Sequence, residues 1–322
     1  MITQIDVYFY YYRGGINMNL FRDQIQNYLS TCVHQKKLNE KTLKAYRIDL
    51  TQFDFFVTQS QFPFGKECLA AYISSLHDEY MPKTVKRKIA SLRAFLNFLE
   101  FDEQLDENPL PKIRTAFKEP LVLPKTLPIK TIQKMLRKAY ANTENCSTDV
   151  QYNNSLRNIA ILELLFAVGI RVSELCSITA REIDLKSGAI KIHGKGARER
   201  IVYIMNKDTL ASLKIYSEAC KTEIRRSGWF FVNRLGNRLS EQSVRTMIKN
   251  LAKQTNLEER ITPHMFRHSF ATLLLEEDVD IRYIQSILGH SSITTTQIYT
   301  HVSAKKQRAI LMKKHPRNKI LL

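Results

Sequence analysis

Apolar residues recur three or four positions apart through the N-terminal third of the chain. The segments 39–57 and 82–99 each carry one such stripe, and Pro82 stands where a first helical residue is common. One stripe per segment predicts amphipathic helices that each bury one side, so this part of the chain is predicted to be all-helical. The stripes are Leu43, Tyr46, Leu50, Phe53 and Val57 in the first segment, and Val85, Ile89, Leu92, Leu96 and Leu99 in the second.

Basic residues gather toward the start of both segments. They are Lys41, Lys44 and Arg47 in the first segment, and Lys83, Lys86 and Arg87 in the second. A solvated helix face is the ordinary explanation of such a cluster. Contact with DNA is the other, because two cationic helix ends on a small helical bundle suit a phosphate backbone.

The C-terminal part mixes helical and strand patterns. Ile190 and Ile192 alternate with other residues before a Gly-Lys-Gly turn, and Ile201, Tyr203 and their neighbours follow it, which predicts a β-hairpin. Further helices are predicted at about 240–254, 263–277 and 281–288. The predicted fold class is mostly α with a small antiparallel β-sheet.

A proline-rich stretch separates the two patterns. Five of the nine prolines lie within 109–128, which cannot be a regular helix and is typical of a linker. Residues 1–17 form an atypical extension, either dispensable sequence ahead of a start at Met18 or an extra strand that docks on the body or a partner. The predicted divisions are 1–17, a helical domain at 18–108, the linker at 109–128, a second domain at 129–303 and a basic tail at 304–322.

Composition narrows the class of partner. The 322 residues are 44% hydrophobic, enough for packed cores, and carry a formal net charge of +18 with a pI near 9.7. So basic a chain most often binds a polyanion, with nucleic acid first and an anionic membrane surface second. The longest apolar run, 159–170, is interrupted by Glu163 and too short to span a membrane. Five cysteines without metal-ligand spacing predict free thiols in a reducing cytoplasm.

Several short motifs place reactive side chains in separate elements. His264 and Arg267 lie one turn apart on one predicted helix, after Thr262 and Pro263 as a plausible start, so the helix is predicted to offer both side chains together on the side opposite its buried face. Arg171 stands one turn before Glu174. Taken alone, the first pair is ordinarily a surface pair and the second a local ion pair within a helix. Lys195 sits between two glycines, where a plain turn lysine is the ordinary explanation, and Tyr299 follows Gly289 and His290 across a Ser/Thr-rich stretch that holds a helix poorly.

Taken together, these residues favour phosphoryl transfer without a metal. No acidic pair, Walker-type loop or metal-ligand cluster competes with them in the sequence. Such a reaction needs cations at the phosphorus, a nucleophile, a base and an acid. Arginine suits the first task because its fork matches two phosphate oxygens and keeps its charge. A tyrosine phenolate both attacks and leaves readily, which makes the covalent intermediate reversible.

The order of these motifs resembles that of the tyrosine recombinases, closest to the Xer-type and phage-integrase-like members. "GIRVSEL", "HGKGARERI", "HMFRHSFATLLL" and "LGHSSITTTQIYTHV" occur in the family's order, and the resemblance covers about Asn19 to Ser303. Phe266 stands where leucine is usual, and Tyr203 stands where proline is frequent. Neither departure touches the expected chemistry.

The resemblance implies a role for each candidate residue. Tyr299 would attack a DNA phosphodiester and form a 3′-phosphotyrosyl link with a free 5′-hydroxyl. The implied helpers are Arg171, Arg267 and His290 on the phosphate oxygens, Lys195 as the acid toward the 5′-oxygen, His264 as the base toward Tyr299, and Glu174 orienting the region of Arg171. No metal, ATP or other cofactor is implied.

The resemblance also implies an assembly and a setting. The two domains, a helical core-binding domain and a catalytic domain, would form a C-shaped clamp on double-stranded DNA, and a homotetramer would join two DNA sites. The tail 304–322 is either a frayed, DNA-attracted end or a segment that packs into a neighbouring subunit. The enzyme would act in the cytoplasm, associated with the nucleoid, on a site that the sequence does not specify. A type IB topoisomerase-like relaxase and a non-catalytic DNA-binding regulator are the alternatives.

Overall fold

A computed structural model of the protein describes residues 20–117, 124–194 and 199–289. They belong to two compact units that divide between Leu121 and Val122. Both units are built mainly of helices, and the second adds a three-stranded antiparallel sheet. The predicted fold class, mostly α with a small antiparallel sheet, is confirmed.

Four α-helices make up most of the first unit. They are α1 (Arg22–His34), α2 (Glu40–Gln59), α3 (Lys66–Glu79) and α4 (Pro82–Phe101), followed by one 3₁₀ turn at Leu110–Lys112. Asn39 starts α2, because its side-chain oxygen accepts from the backbone N–H of Thr42 at 3.0 Å, and Pro82 occupies the first turn of α4. The two predicted helical segments therefore form as the patterns indicated.

Aromatic side chains fill the core of the first unit. The ring of Phe21 stacks on that of Phe53 at 5.8 Å between centroids and meets Phe95 edge-on at 6.0 Å. Tyr28 lies 5.1 Å from Phe98 and is almost fully buried. Such rings bury large apolar areas, which gives a short four-helix unit its own core.

The second unit packs its helices around α6. The elements are α5 (Ile129–Ala141), α6 (Asp149–Val168), α7 (Val172–Leu175), β1 (Ile183–Asp184), β2 (Ala189–His193), β3 (Glu199–Tyr203), α8 (Lys207–Ala219), α9 (Lys221–Ser227), α10 (Glu241–Gln254), α11 (Pro263–Glu276) and α12 (Ile281–Leu288). Thr148 caps α6 by accepting from Gln151 N–H at 3.2 Å. Apolar residues on most sides of α6 are buried, as expected of a helix enclosed by its neighbours.

The predicted hairpin forms, and its register decides which residues face inward. Ile190 pairs with Val202, and Ile192 pairs with Arg200. Ile190, Ile192 and Val202 are buried, whereas Ile201 and Tyr203 are 58% and 60% exposed. Because side chains alternate along a strand, the apolar residues Ile201 and Tyr203 lie on the solvent side of β3, and Arg200 shares the inward side with Val202.

The two ends of the predicted linker 109–128 belong to the two units. Leu110 is buried in the core of the first unit, and Leu127 is buried in that of the second, where its N–H donates to Ser269 Oγ at 2.6 Å. The unit boundary falls between these anchors. The predicted extension 1–17 and tail 304–322 lie outside the described residues.

Two further expectations concern the whole chain. All five cysteines are free, and four of them are buried. Across 20–117, 124–194 and 199–289, none of the helices has the length and apolarity needed to cross a membrane.

A buried ion pair joins α2 to α4, and its loss should lower the stability of the first unit. Asp49 and Lys88 are both buried and 3.3 Å apart, and Asp49 also accepts from Ser91 Oγ at 2.9 Å. Asp49→Ala leaves the Lys88 ammonium buried without its carboxylate. We expect the free energy of unfolding of the first unit to fall by about 3–5 kcal/mol.

Amide hydrogen exchange of α2 and α4 in the full chain measures this loss. Glu107→Ala is the matched control, because Glu107 and Lys112 form an exposed pair at 2.7 Å, and such pairs add little. Equal losses of protection in the two variants would show that the buried Asp49 pair contributes no more to the free energy of unfolding than the exposed pair.

Candidate active site

Three arginines converge on the C-terminal end of α12. Arg200 Nε donates to Ile287 O at 2.9 Å, Arg267 Nη2 to Leu288 O at 2.7 Å, and Arg171 Nη2 to Gly289 O at 3.3 Å. The acceptors are consecutive carbonyls at the end of a helix, where such groups lack intrahelical partners and the helix dipole is negative. Three guanidiniums from three distant parts of the sequence are thereby brought to one place.

Gly289 is required where α12 ends. Its φ of +65° lies in the left-handed region, and its N–H donates to Gln285 O at 2.9 Å. A Cβ at this position would meet the Arg200 guanidinium at 2.9–3.1 Å. Glycine therefore permits both the helix end and the close approach of Arg200.

Arg171 starts α7 and is held by Glu174. The Arg171 backbone N–H donates to Glu174 Oε2 at 3.1 Å, and its Nη1 donates to Oε1 at 2.7 Å. The side chain of Arg171 keeps 33% of its surface exposed, whereas that of Glu174 keeps 5%. The expected ion pair is present. In it, the buried carboxylate of Glu174 holds the partly exposed guanidinium of Arg171 in place.

Glu174 stays ionised despite its burial. Desolvation raises the pKa of its carboxyl, but hydrogen bonds and charge from Arg200, and then bonds from Arg171, outweigh desolvation and lower the pKa below its ordinary value. Arg200 makes the largest contributions among those that lower this pKa. The carboxylate is thus a fixed negative charge among the arginines.

Arg267 is buried. The sequence had predicted instead that Arg267 and His264 lie together on the outer side of α11. Only 3% of Arg267 is exposed, and its Nη1 donates to Gly169 O at 2.8 Å. The reason is tertiary, because α11 packs between α6 and α12 and carries Arg267 on that inner side. Gly169 has a φ of +59°, and a Cβ there would lie 2.5 Å from the ring of Phe270.

His264 lies one turn earlier on α11 and is accessible to solvent. Partial desolvation of its ring, followed by the positive charges of Arg267, Arg245 and Arg171, lowers the pKa of the imidazole below its ordinary value. The neutral ring is therefore the main form at pH 7 and is able to accept a proton.

The other predicted site residues divide into two groups. Lys195, His290 and Tyr299 lie outside the described residues; Lys195 belongs to the connection between β2 and β3, and His290 directly follows Gly289. The six basic residues of the first unit that were predicted to contact DNA are exposed: Lys41, Lys44, Arg47, Lys83, Lys86 and Arg87. Arg87 pairs with Asp49, so the basic segment of α4 lies beside α2.

The sequence interpretation missed Arg200, which stands inside the motif "HGKGARERI". Its Nη1 and Nη2 donate to Glu174 Oε1 and Oε2 at 3.0 and 2.8 Å. A signal was available: Arg200 is two residues from the buried Val202, so strand alternation points it inward, where an arginine needs a carboxylate.

Cys176 takes no part in this site. It is buried in the main core of the second unit, and burial raises the pKa of its thiol to about 11. A thiol with so high a pKa is a poor nucleophile at neutral pH. Within the parts of the chain that the structure describes, no three His, Cys, Asp or Glu side chains are placed to hold a metal ion.

Two family models and several known proteins match the sequence of this chain. Residues 126–306 match the sequence model of the phage integrase family, and residues 25–102 match that of the phage integrase N-terminal SAM-like domain. A tyrosine recombinase of Agathobacter rectalis is 48% identical over 301 residues, which cover 93% of this chain and 98% of that protein. Tyrosine recombinase XerD of Listeria innocua is 34% identical, covering 92% and 99% of the two chains.

Solved structures show the same fold. The XerH site-specific recombinase, in a post-cleavage complex with palindromic difH DNA, superimposes with a TM-score of 0.71. It is 21% identical, and the match covers 88% of this chain and 84% of XerH. The family match over more than half of the chain and the near full-length relatives show that this protein belongs to the phage integrase family of tyrosine recombinases, which are enzymes of site-specific DNA recombination.

Proposed function

We propose that this protein cleaves and rejoins duplex DNA at a specific site through a 3′-phosphotyrosyl intermediate. The observation that carries the proposal is the convergence of Arg171 and Arg267 on the neighbouring carbonyls of Gly289 and Leu288. Two guanidiniums so placed form a site for one phosphate group. The residue that follows in the chain, His290, is the third proposed phosphate ligand.

Charge explains why this arrangement suits a phosphodiester. Negative charge on the non-bridging oxygens grows as a fifth ligand approaches phosphorus, and fixed cations stabilise that charge without reorganising. Arginine remains protonated throughout and offers several donors in a plane. Glu174 neutralises part of the cationic charge and leaves the site positive overall, so it attracts an anion.

The proposed reaction has two transesterification steps. Tyr299 gives its phenolic proton to His264, and its oxygen forms a bond to phosphorus while the bond from phosphorus to the 5′-oxygen breaks. Lys195 gives the proton that the departing 5′-oxygen needs. A 5′-hydroxyl of the partner strand then attacks the phosphotyrosine and releases Tyr299. A phosphodiester is thereby formed again without hydrolysis.

The first unit is proposed to hold the DNA. Its exposed basic residues on α2 and α4 would contact phosphates, including Lys44, Arg47 and Lys83. We assign residues 18–108 to this core-binding domain, 129–303 to the catalytic domain and 109–128 to the linker between them. The assignments of 1–17 as an extension and 304–322 as a basic tail complete the proposed organisation.

Four subunits are proposed to act together on two DNA sites. Each site has two strands to cut, and one tyrosine forms one covalent link, so a complete exchange needs four active sites. The tail 304–322 is proposed to reach a neighbouring subunit. We place the enzyme in the cytoplasm with the nucleoid, where its substrate is chromosomal or mobile-element DNA.

Two alternatives make different predictions about DNA. A type IB topoisomerase-like relaxase would reseal each duplex without joining two of them. A regulator without catalysis would form no covalent adduct. Joining of strands between two labelled duplexes separates recombination from both alternatives.

Tyr299→Phe tests the nucleophile. We expect this variant to bind DNA with the affinity of the native protein and to form no adduct, because phenylalanine lacks the attacking oxygen. The measurement is a denaturing gel after incubation with nicked suicide DNA. An adduct of undiminished yield would assign the link to another residue.

Lys195→Ala tests the acid. Loss of a general acid slows such a step about 10²- to 10⁴-fold. A 5′-thio leaving group departs without protonation, so it should return the variant to the rate of the native protein on the same DNA. Single-turnover cleavage on the two substrates measures the effect, and the role would be rejected if sulfur gave no rescue.

The lowered pKa of His264 predicts where cleavage fails in acid. A base must be unprotonated, so its activity is present above its pKa and is lost as the pH falls through it. Because the pKa of His264 is lowered, the acidic limb of the single-turnover rate should lie below the ordinary imidazole value of about 6.5. His264→Gln should slow cleavage and remove this limb; a limb unchanged in that variant would belong to another group.

A further inference from the structure

Arg200 connects three separate elements of the catalytic unit. Its side chain leaves β3, binds Glu174 on α7 with both Nη atoms, and binds Ile287 O at the end of α12 with Nε. Only 13% of the side chain is exposed. All three nitrogens of the guanidinium therefore donate to protein acceptors, which ties β3 to α7 and to the end of α12.

Both oxygens of Glu174 are shared between Arg200 and Arg171. Oε1 accepts from Arg171 Nη1 and Arg200 Nη1, and Oε2 accepts from Arg171 N–H and Arg200 Nη2. Arg200 thus fixes the plane and position of the carboxylate that in turn holds Arg171. A bidentate fork does this in a way that a single ammonium donor does not.

The position of Arg200 in the sequence extends the connection. It stands five residues after Lys195 and binds a carbonyl three residues before His290. The strand that follows the proposed acid is thereby attached to the helix that precedes a proposed phosphate ligand. Gly289 keeps the space for this contact, since a Cβ there would meet the guanidinium.

We propose that Arg200 is a positioning residue of the recombination reaction, which orients Arg171 through Glu174 and ties the Lys195-bearing hairpin to the end of α12. The proposal rests on the proposed function and adds a residue to it. Arg200 would affect the rate by fixing the positions of other groups, because small displacements of a catalytic group slow an oriented reaction strongly.

Two variants of Arg200 separate positioning from charge. Arg200→Met removes the fork and the charge, and Arg200→Lys keeps only the charge. We expect unchanged DNA affinity for both and single-turnover cleavage about 10- to 100-fold slower for Arg200→Met. Arg200→Lys should recover part of the rate, because one ammonium donor reaches Glu174 without restoring both of its bonds.

Arg157→Met is the matched control for loss of a structural arginine. Arg157 is partly buried in the same unit, and its Nη1 donates to the backbone carbonyl of Val232 at 3.0 Å. It has no part in the proposed site. We expect its replacement to leave the cleavage rate per folded molecule within about twofold of native, while thermal denaturation reports any loss of stability in all variants.

A double-variant cycle tests the route through Glu174. If Arg200 acts through this carboxylate, Arg200→Met should slow cleavage much less in a Glu174→Gln background than in the native protein. Equal slowing in both backgrounds would overturn the route that we propose.

The pH profile supplies a readout that lost stability alone would not move. The charged groups that lower the pKa of Glu174 are Arg200 and Arg171. Loss of Arg200 removes the largest of the effects that lower the pKa of Glu174, so this pKa should be higher in Arg200→Met than in the native protein. In a His264→Gln background, which lacks the acidic limb assigned to His264, the cleavage rate should therefore begin to fall at a higher pH when the protein also carries Arg200→Met. A native-like profile together with a native-like rate would overturn the proposal.

Failure of this proposal differs visibly from failure of the proposed function. A native protein that forms no covalent adduct with nicked suicide DNA and joins no strands would reject the function itself. An inactive Tyr299→Phe protein beside a fully active Arg200→Met protein would reject only the positioning role.

Discussion

The interaction on which the site depends is the meeting of three guanidiniums with the carbonyl end of α12. Arg171, Arg200 and Arg267 bind the three carbonyls of residues 289, 287 and 288. Like charges repel, so this cluster requires compensation. The compensation comes from the negative end of the helix dipole and from Glu174, whose buried carboxylate binds two of the three arginines.

This constraint explains several features of the surrounding sequence. Gly289 and Gly169 both adopt positive φ and both lie where a Cβ would clash, the first with Arg200 and the second with Phe270. Gly169 also presents the carbonyl that binds Arg267. The glycines therefore allow backbone to approach the arginines closely, and a larger residue would separate the groups that the site must hold together.

The three arginines differ in how much of their surface is exposed. All three nitrogens of Arg200 donate to protein acceptors, and 13% of its side chain is exposed. Arg171 also binds Glu174, but 33% of its side chain is exposed. A site of this kind combines groups that meet the substrate with groups that hold them in place. Precise placement matters because electrostatic stabilisation of a transition state depends on donors that need not move.

The sequence by itself determined the local elements and the order of motifs that indicates the family. Apolar periodicity located α2 and α4, alternation located the hairpin, and the ordered motifs indicated the family and the residues Arg171, Glu174 and Arg267. These signals are local, since caps, glycine conformations and strand alternation act over a few residues. Only the tertiary structure decided that Arg267 is buried and that Arg200, 26 residues from Glu174 and 87 from Ile287, completes the network. Contacts over such separations depend on how α7, β3, α11 and α12 pack against one another. Local patterns of apolar residues do not predict that packing.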